Sequence, residues 1–210
     1  MPNNSQHLKD GIHSVFRQTI KDLRGVGIMA KPLYEIAEIR QMRSAYAELI
    51  ASSPREEDVQ AFIHSNPLIW HFLAPTRILS KPPLLTKHNA DFGILTVHKI
   101  LYFVEIEKPQ SRVVGAKGKL HGDVQRAFEQ IRDWSIVIED HRLAVLDSLG
   151  IQPEEVHDIR YIVVAGLAAK ASSAGLNKLQ RNLPTENTQF YCFDHIESFL
   201  RALEEHLVKS

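Results

Sequence analysis

Residues 100–109 read ILYFVEIEKP. From Ile100 to Ile106 the run holds one carboxylate and is otherwise apolar, so both of its faces suit burial. A run of this kind belongs inside a covered sheet, which already narrows the fold to a layered α/β arrangement. Yet it ends in two glutamates one residue apart. Side chains alternate faces along a strand. Leu101, Phe103, Glu105 and Glu107 therefore share one face, while Tyr102, Val104 and Ile106 share the other. The two acids emerge together at the C-terminal end, where open α/β sheets bind their ligands.

The preceding segment adds a third acid. ADFGILTV (90–97) and KILYFVEIE (99–107) alternate as two strands joined by a tight turn near His98. A turn centred there pairs residues whose numbers sum to 196, which sets Asp91 opposite Glu105 on the same face. Opposed Cβ atoms lie about 4.5–5.5 Å apart. The pairing expects three carboxylates converging on a few ångströms, although a one-residue slip would undo it. Anions that close raise one another's pKa. A divalent cation relieves the repulsion, and Mg²⁺ and Mn²⁺ prefer such oxygen donors. The bland alternative is a solvated strand end whose acids pair with nearby lysines such as Lys108.

Around this hairpin the pattern is mostly helical. Leu8, Ile12, Val15, Phe16, Ile20 and Leu23 recur at helical spacing, and GVG at 25–27 ends the run. A second helix is expected over about 32–51. Ser53 is expected to N-cap a third, with Pro54 at its first position, and Asn66-Pro67 to end it. PTRILSKPPLL carries too many prolines for a central strand and suits an edge or loop. Two helices are expected over 121–138 and 139–149, and strands over 160–168 and 189–193. A last helix is expected from Asp194, with Glu197 completing a capping box and Phe199, Leu200, Leu203 and Leu207 as its core face. The order implies a mixed sheet with helices on both faces. The expected division is a helical extension over 1–52 and a compact domain over 53–210.

Composition excludes more than it selects. Lys+Arg and Asp+Glu both number 25, so no global basic field advertises a nucleic-acid partner. No apolar run is long enough to span a membrane. Cys192 is the one cysteine, which fits a reducing cytoplasm and an inert core thiol. The eleven histidines show no compelling metal spacing.

ADFGIL, YFVEIEKP and AFEQIRDW, in this order and spacing, resemble the PD-(D/E)XK nuclease superfamily, and within it the Shedu-type anti-phage nuclease domain. EEDVQAFIHSNPLIW resembles the segment leading into that domain. The resemblance covers roughly 54–200. It implies a restriction-endonuclease-like α/β fold, a Mg²⁺- or Mn²⁺-dependent nuclease, DNA as substrate and a role in bacterial defence against phage. It makes Asp91 and Glu105 the metal-binding acids. The next motif position is usually lysine. Here it is Glu107, which can act as a base or extra ligand but cannot stabilise hydroxide as an ammonium does. Gln130 matches the helical glutamine of the pattern, one turn before Trp134. Glu57 resembles a helical acid found in many members. A solvated first-turn glutamate explains Glu57 equally well.

Other features carry two readings each. Lys108, Arg112, Lys117 and Lys119 lie in a glycine-bearing loop after the acidic strand. They suit a clamp on a nucleic-acid backbone or an ordinary basic loop. His121 fits a proton shuttle, but the start of a helix is the simpler account. GLAAKASSAGLNKLQRN reads as an exposed basic loop. Broad apolar stripes over 1–50 need a partner surface, either the core or a second copy in a homo-oligomer. Two classes stand beside the nuclease: a catalytically silent nucleic-acid-binding domain and a protein-interaction module.

Overall fold

The computed structural model describes residues 36–85, 89–114 and 120–209. The expected helix over 8–23, the first residues of the 32–51 helix, Lys117 and Lys119 lie outside the described residues. The chain runs as α1 (Ile36–Ala51), α2 (Glu56–Ser65), a 3-10 turn (Pro67–Leu73), β1 (Pro75–Ser80), β2 (Phe92–Thr96) and β3 (Ile100–Ile106). It continues as α3 (Gly122–Ser148), β4 (Asp158–Val164), α4 (Ser173–Gln180), β5 (Thr188–Tyr191) and α5 (Phe193–Lys209).

The strands form one mixed sheet in the order β1-β2-β3-β4-β5. β1–β2 and β2–β3 are antiparallel, and β3–β4 and β4–β5 are parallel. The fold is therefore α/β, with helices on both faces. The proline-rich β1 sits at the edge, where a missing N–H costs no ladder bond. The hairpin register is Phe92↔Val104, Gly93↔Phe103, Ile94↔Tyr102 and Leu95↔Leu101, the expected sum throughout. Lys99, in the turn, takes the left-handed backbone (φ 58°) such a tight reversal needs.

The period-two pattern of β3 separates two cores. Leu101 and Phe103 pack with Val124, Ala127, Phe128, Ile131, Trp134 and Ile138 of α3. Tyr102, Val104 and Ile106 pack with α1, α2, Trp70 and the start of α5. Each large apolar side chain so buried contributes about 1.5–3 kcal/mol. β3 is consequently the middle strand of the sheet, covered by a core on each face.

Five expectations change. α2 is capped by Arg55, whose N–H donates to Asp58 Oδ2 at 3.3 Å, and not by Ser53. Ser53 has a left-handed backbone (φ 57°) that closes α1, so the next helix starts two residues later. The expected break between two helices at 138/139 is a kink at His141 (φ −132°, ψ 29°) within one run. Ser173–Gln180 is a helix, not a loop; Ser172 Oγ caps it by accepting the Gly175 N–H at 3.1 Å. Asp194 does not form a capping box with Glu197. Its carboxylate accepts the Ala168 and Ala169 N–H groups, each at 2.9 Å, and Glu197 pairs with Arg43 and Arg201. Leu207, expected in the core, lies near the open end of α5 and is 36% exposed.

Candidate active site

The acids collect where β3 runs out. Glu105 points to the α3 side in phase with Leu101 and Phe103, and it is buried. The β2–β3 ladder stops at Phe92↔Val104, one step short of Asp91 and Glu105. Asp91 then takes over with its side chain: its Oδ2 accepts the Ile106 N–H at 2.8 Å. That bond pins the carboxylate against the strand carrying Glu105. The Glu107 N–H donates to Val164 O at 2.8 Å, so β4 holds the second glutamate in line.

α2 supplies a fourth acid, and it is Glu56. Val59 and Ile63 set the buried face of this helix, and Gln60 lies beside them. Glu56 is one turn before Gln60, whose Nε2 donates to Glu56 Oε1 at 3.1 Å. Glu57 is rotated outward and exposed. Helix phase separates the two, and the sequence signal that distinguishes them is the i, i+4 glutamine. Gln110 Nε2 donates to Pro54 O at 3.1 Å, tying the start of α2 to the loop after β3.

The electrostatics of the four are strained in one direction. Burial raises the Glu105 carboxyl pKa first, and Asp91, Glu107 and Glu56 raise it further. Gln130, a turn along α3, opposes this by hydrogen-bonding Glu105. Asp91 is also raised, chiefly by burial and then by Glu56, against the Ile106 N–H and Lys81. Glu107 is pushed up to about 7 by burial, Glu56 and Asp123, against Arg126 and Lys108. Glu56 is raised by burial and by Glu57, with Lys108 and Lys81 opposing. None of the four forms a salt bridge with a described residue.

Gln130 is thus brought to the acids, as are Glu107 and the exposed Lys108. Arg112 is exposed on the neighbouring loop. His121 is the residue before α3, with its Nδ1 3.8 Å from Asp123 Oδ2. Ser111 Oγ donates to the same carboxylate at 2.9 Å, and Arg126 pairs with it. Lys81 and Arg126 are charged neighbours of the acids that the sequence pattern did not single out.

The donor set bears on a metal. All four candidates are hard carboxylate oxygens. They repel one another in a buried place, which suits a divalent cation taking one or two carboxylates and completing its shell with water and phosphate. The spacing is looser than three acids on one point. Among the described residues, the set of three whose ligand atoms all lie within 4.8 Å is Cys192, Asp194 and His195. Those atoms are already engaged. Asp194 accepts two backbone N–H groups, His195 Nδ1 accepts the Cys192 N–H at 3.2 Å, and burial pushes the Cys192 thiol up to about 12. That trio fastens β5 and α5 to the loop after β4.

Fold and site together define a mixed α/β domain with a carboxylate cluster at the C-terminal end of its central strand. A family model described as Shedu protein SduA, C-terminal, matches residues 53–196, well over half of the chain. The chain belongs to the Shedu family, which is linked to anti-phage defence. The match takes in the four acids and Gln130. No curated protein matches the sequence. Among the described residues no helix is long and apolar enough to cross a membrane.

Proposed function

We propose that this chain is a metal-dependent nuclease of the PD-(D/E)XK superfamily that hydrolyses DNA phosphodiester bonds in the cytoplasm during defence against phage. One observation carries the proposal. Glu105 is buried, and the partly buried Asp91 is held against the same strand by the Ile106 N–H; both have raised pKa values and neither forms a salt bridge with a described residue. Folding spends stability to keep such a pair together, and a bound cation would return it.

Asp91 and Glu105 would hold Mg²⁺ or Mn²⁺. When bound, such an ion polarises a phosphoryl oxygen and lowers the pKa of its water. Gln130 fixes the orientation of Glu105 through its hydrogen bond. Without metal, burial and the neighbouring acids push the Glu107 carboxyl up to about 7. It is suited to take the proton from an attacking water. Lys108 and Arg112 are exposed on the adjacent loop, where phosphates of a DNA backbone would be met.

Plasmid and oligonucleotide cleavage in Mn²⁺ tests this. Asp91→Ala and Glu105→Ala should each lower the rate by at least about 100-fold, the scale of losing a principal electrostatic group. Cleavage unaffected by either change overturns the centre. Glu107, standing where the superfamily usually has lysine, favours a second reading: a silent nucleic-acid-binding or protein-interaction domain. Calorimetry separates the two, because absence of Mg²⁺ or Mn²⁺ binding at millimolar concentration supports the silent domain.

A further inference from the structure

We propose that Lys81 is a catalytic residue of this centre, its ammonium contacting the scissile phosphate from the β1 side. The proposal rests on the nuclease reading above and adds a group to it.

Backbone pairing places Lys81 next to Asp91. β1 pairs with β2 as Ser80↔Phe92, Leu79↔Gly93 and Ile78↔Ile94. One more step sets Lys81 beside Asp91, and the Lys81 N–H donates to Asp91 O at 2.9 Å. On its other side the Asp91 N–H donates to Val104 O at 3.0 Å and its Oδ2 accepts the Ile106 N–H at 2.8 Å, so Asp91 lies against the strand that carries Glu105. Lys81 therefore neighbours Asp91, and Asp91 neighbours the strand end that carries Glu105.

The backbone adds a second observation. Lys81 has a left-handed conformation (φ 47°), which glycine or asparagine would occupy at lower cost. Five described non-glycine residues share this feature: Ser53, Ala74, Lys81, Leu85 and Lys99. Of these, Lys81 alone acts on the acid cluster, offsetting the charge of both Asp91 and Glu56. Strain of this kind concentrates at functional positions.

The chemistry requires such a cation. A phosphodiester must approach four carboxylates, and its charge grows as the attacking oxygen adds. Three cations border the site. Arg126 is already paired with Asp123. Lys108 follows Glu107 and is exposed. Lys81 is exposed as well, forms no salt bridge with a described residue, and sits beside Asp91, where its ammonium can donate to a non-bridging phosphate oxygen. A fixed donor at a developing charge is worth about 10²–10³ in rate.

The test uses the full chain with Lys81→Met, Lys81→Arg and Asp91→Asn. Three quantities are measured: single-turnover cleavage of a labelled duplex in Mn²⁺, the Mn²⁺ affinity and the melting temperature. Lys81→Met should slow cleavage by about 100-fold. Its Mn²⁺ affinity should be unchanged or tighter, since a positive charge beside Asp91 has gone, and its melting temperature should hold. Lys81→Arg should recover part of the rate. Asp91→Asn should lose Mn²⁺ binding. Cleavage by Lys81→Met within about threefold of wild type overturns the role of Lys81, far below the effect of a lost donor, and leaves the nuclease reading standing. A slower rate accompanied by weaker Mn²⁺ binding or lower melting makes Lys81 merely structural and also overturns it. Wild-type protein that neither binds Mn²⁺ nor cleaves overturns the nuclease reading, and the role of Lys81 with it.

Discussion

Glu105 meets the strongest opposition to ionisation in the cluster, because burial and three neighbouring acids act in the same sense. That has a consequence for stability. A carboxyl whose pKa is raised by folding holds its proton more tightly in the native state than in the unfolded chain. Its contribution is then greatest below the unfolded value of about 4 and declines as pH rises through the folded value. For Glu107 that window closes near about 7, and Asp91 and Glu105 act in the same direction. Metal-free protein should therefore melt at a lower temperature near pH 8 than near pH 5.5. Glu105→Gln should raise the melting temperature near pH 8 and narrow the difference between the two. Scanning fluorimetry showing the same pH dependence in both proteins would refute this account. Added Mn²⁺ should offset the loss at the higher pH. At a hundredfold excess over its Kd it contributes about 2.7 kcal/mol, or about 5–10 °C for a chain of this size.

The elements around the acids are held by backbone approaches that tolerate no extra atom. Gly166 follows β4 with φ +63°, and its N–H donates to Lys108 O at 3.2 Å while its carbonyl accepts the Phe193 N–H at 3.1 Å. A Cβ there would lie 2.5 Å from Ser111 O and 2.7 Å from Val113 Cγ2. Gly166→Ala should therefore cost about 1–3 kcal/mol and disturb the loop that follows Glu107. Gly150→Ala is the control. It shares a positive φ (+61°), but its nearest obstacle is Arg77 Nη2 at 3.8 Å. Equal melting temperatures for the two variants would remove the steric part of this explanation. These contacts also show why some of the architecture was legible and some was not. The Phe92↔Val104 to Leu95↔Leu101 register follows from a short hairpin, whose length fixes it; past Phe92 the ladder gives way, and Asp91 meets β3 through its N–H to Val104 O and its side chain to the Ile106 N–H. The buried stripe of α3 follows from helical periodicity, and Val124, Ala127, Phe128, Ile131 and Trp134 are all buried as expected. Glu56 was displaced to Glu57 because the phase of α2 depends on where it starts. α4 was hidden in a small-residue run, since its packing through Leu179 is a tertiary effect. Asp194 carries a local capping pattern, but distant N–H groups claim its carboxylate. Lys81 is separated from Asp91 by a connection whose sequence reveals nothing of its return path.

At the scale of the molecule, α1 lies outside the 53–196 family match yet inside the core. Met42, Tyr46 and Ile50 are buried with Val104, Ile106 and Ile162 beneath the sheet, and Ile39 is buried as well. Tyr46 Oη donates to Phe193 O at 3.3 Å. On the outer side, Arg40 and Arg43 reach Glu204 of α5 at 2.7 and 2.9 Å, and Arg43 reaches Glu197 at 3.0 Å. These pairs are partly buried around Glu204; the apolar face of α1 adds the burial of four large side chains. At about 1.5–3 kcal/mol per large side chain, four of them rival the roughly 5–15 kcal/mol by which a whole domain is stable. Two truncations separate this helix from what precedes it. A chain starting at residue 36 should keep the fold, its Mn²⁺ binding and a single cooperative melt. A chain starting at residue 52 should expose the second core and either aggregate or lose cooperative unfolding. If the shorter chain instead melts cooperatively within a few degrees of full length, α1 is a detachable extension. Light scattering on the longer truncation addresses the proposed homo-oligomer. A change in mass on removing 1–35 assigns the contact to that segment, whereas an unchanged mass assigns it to the surface of residues 36–210.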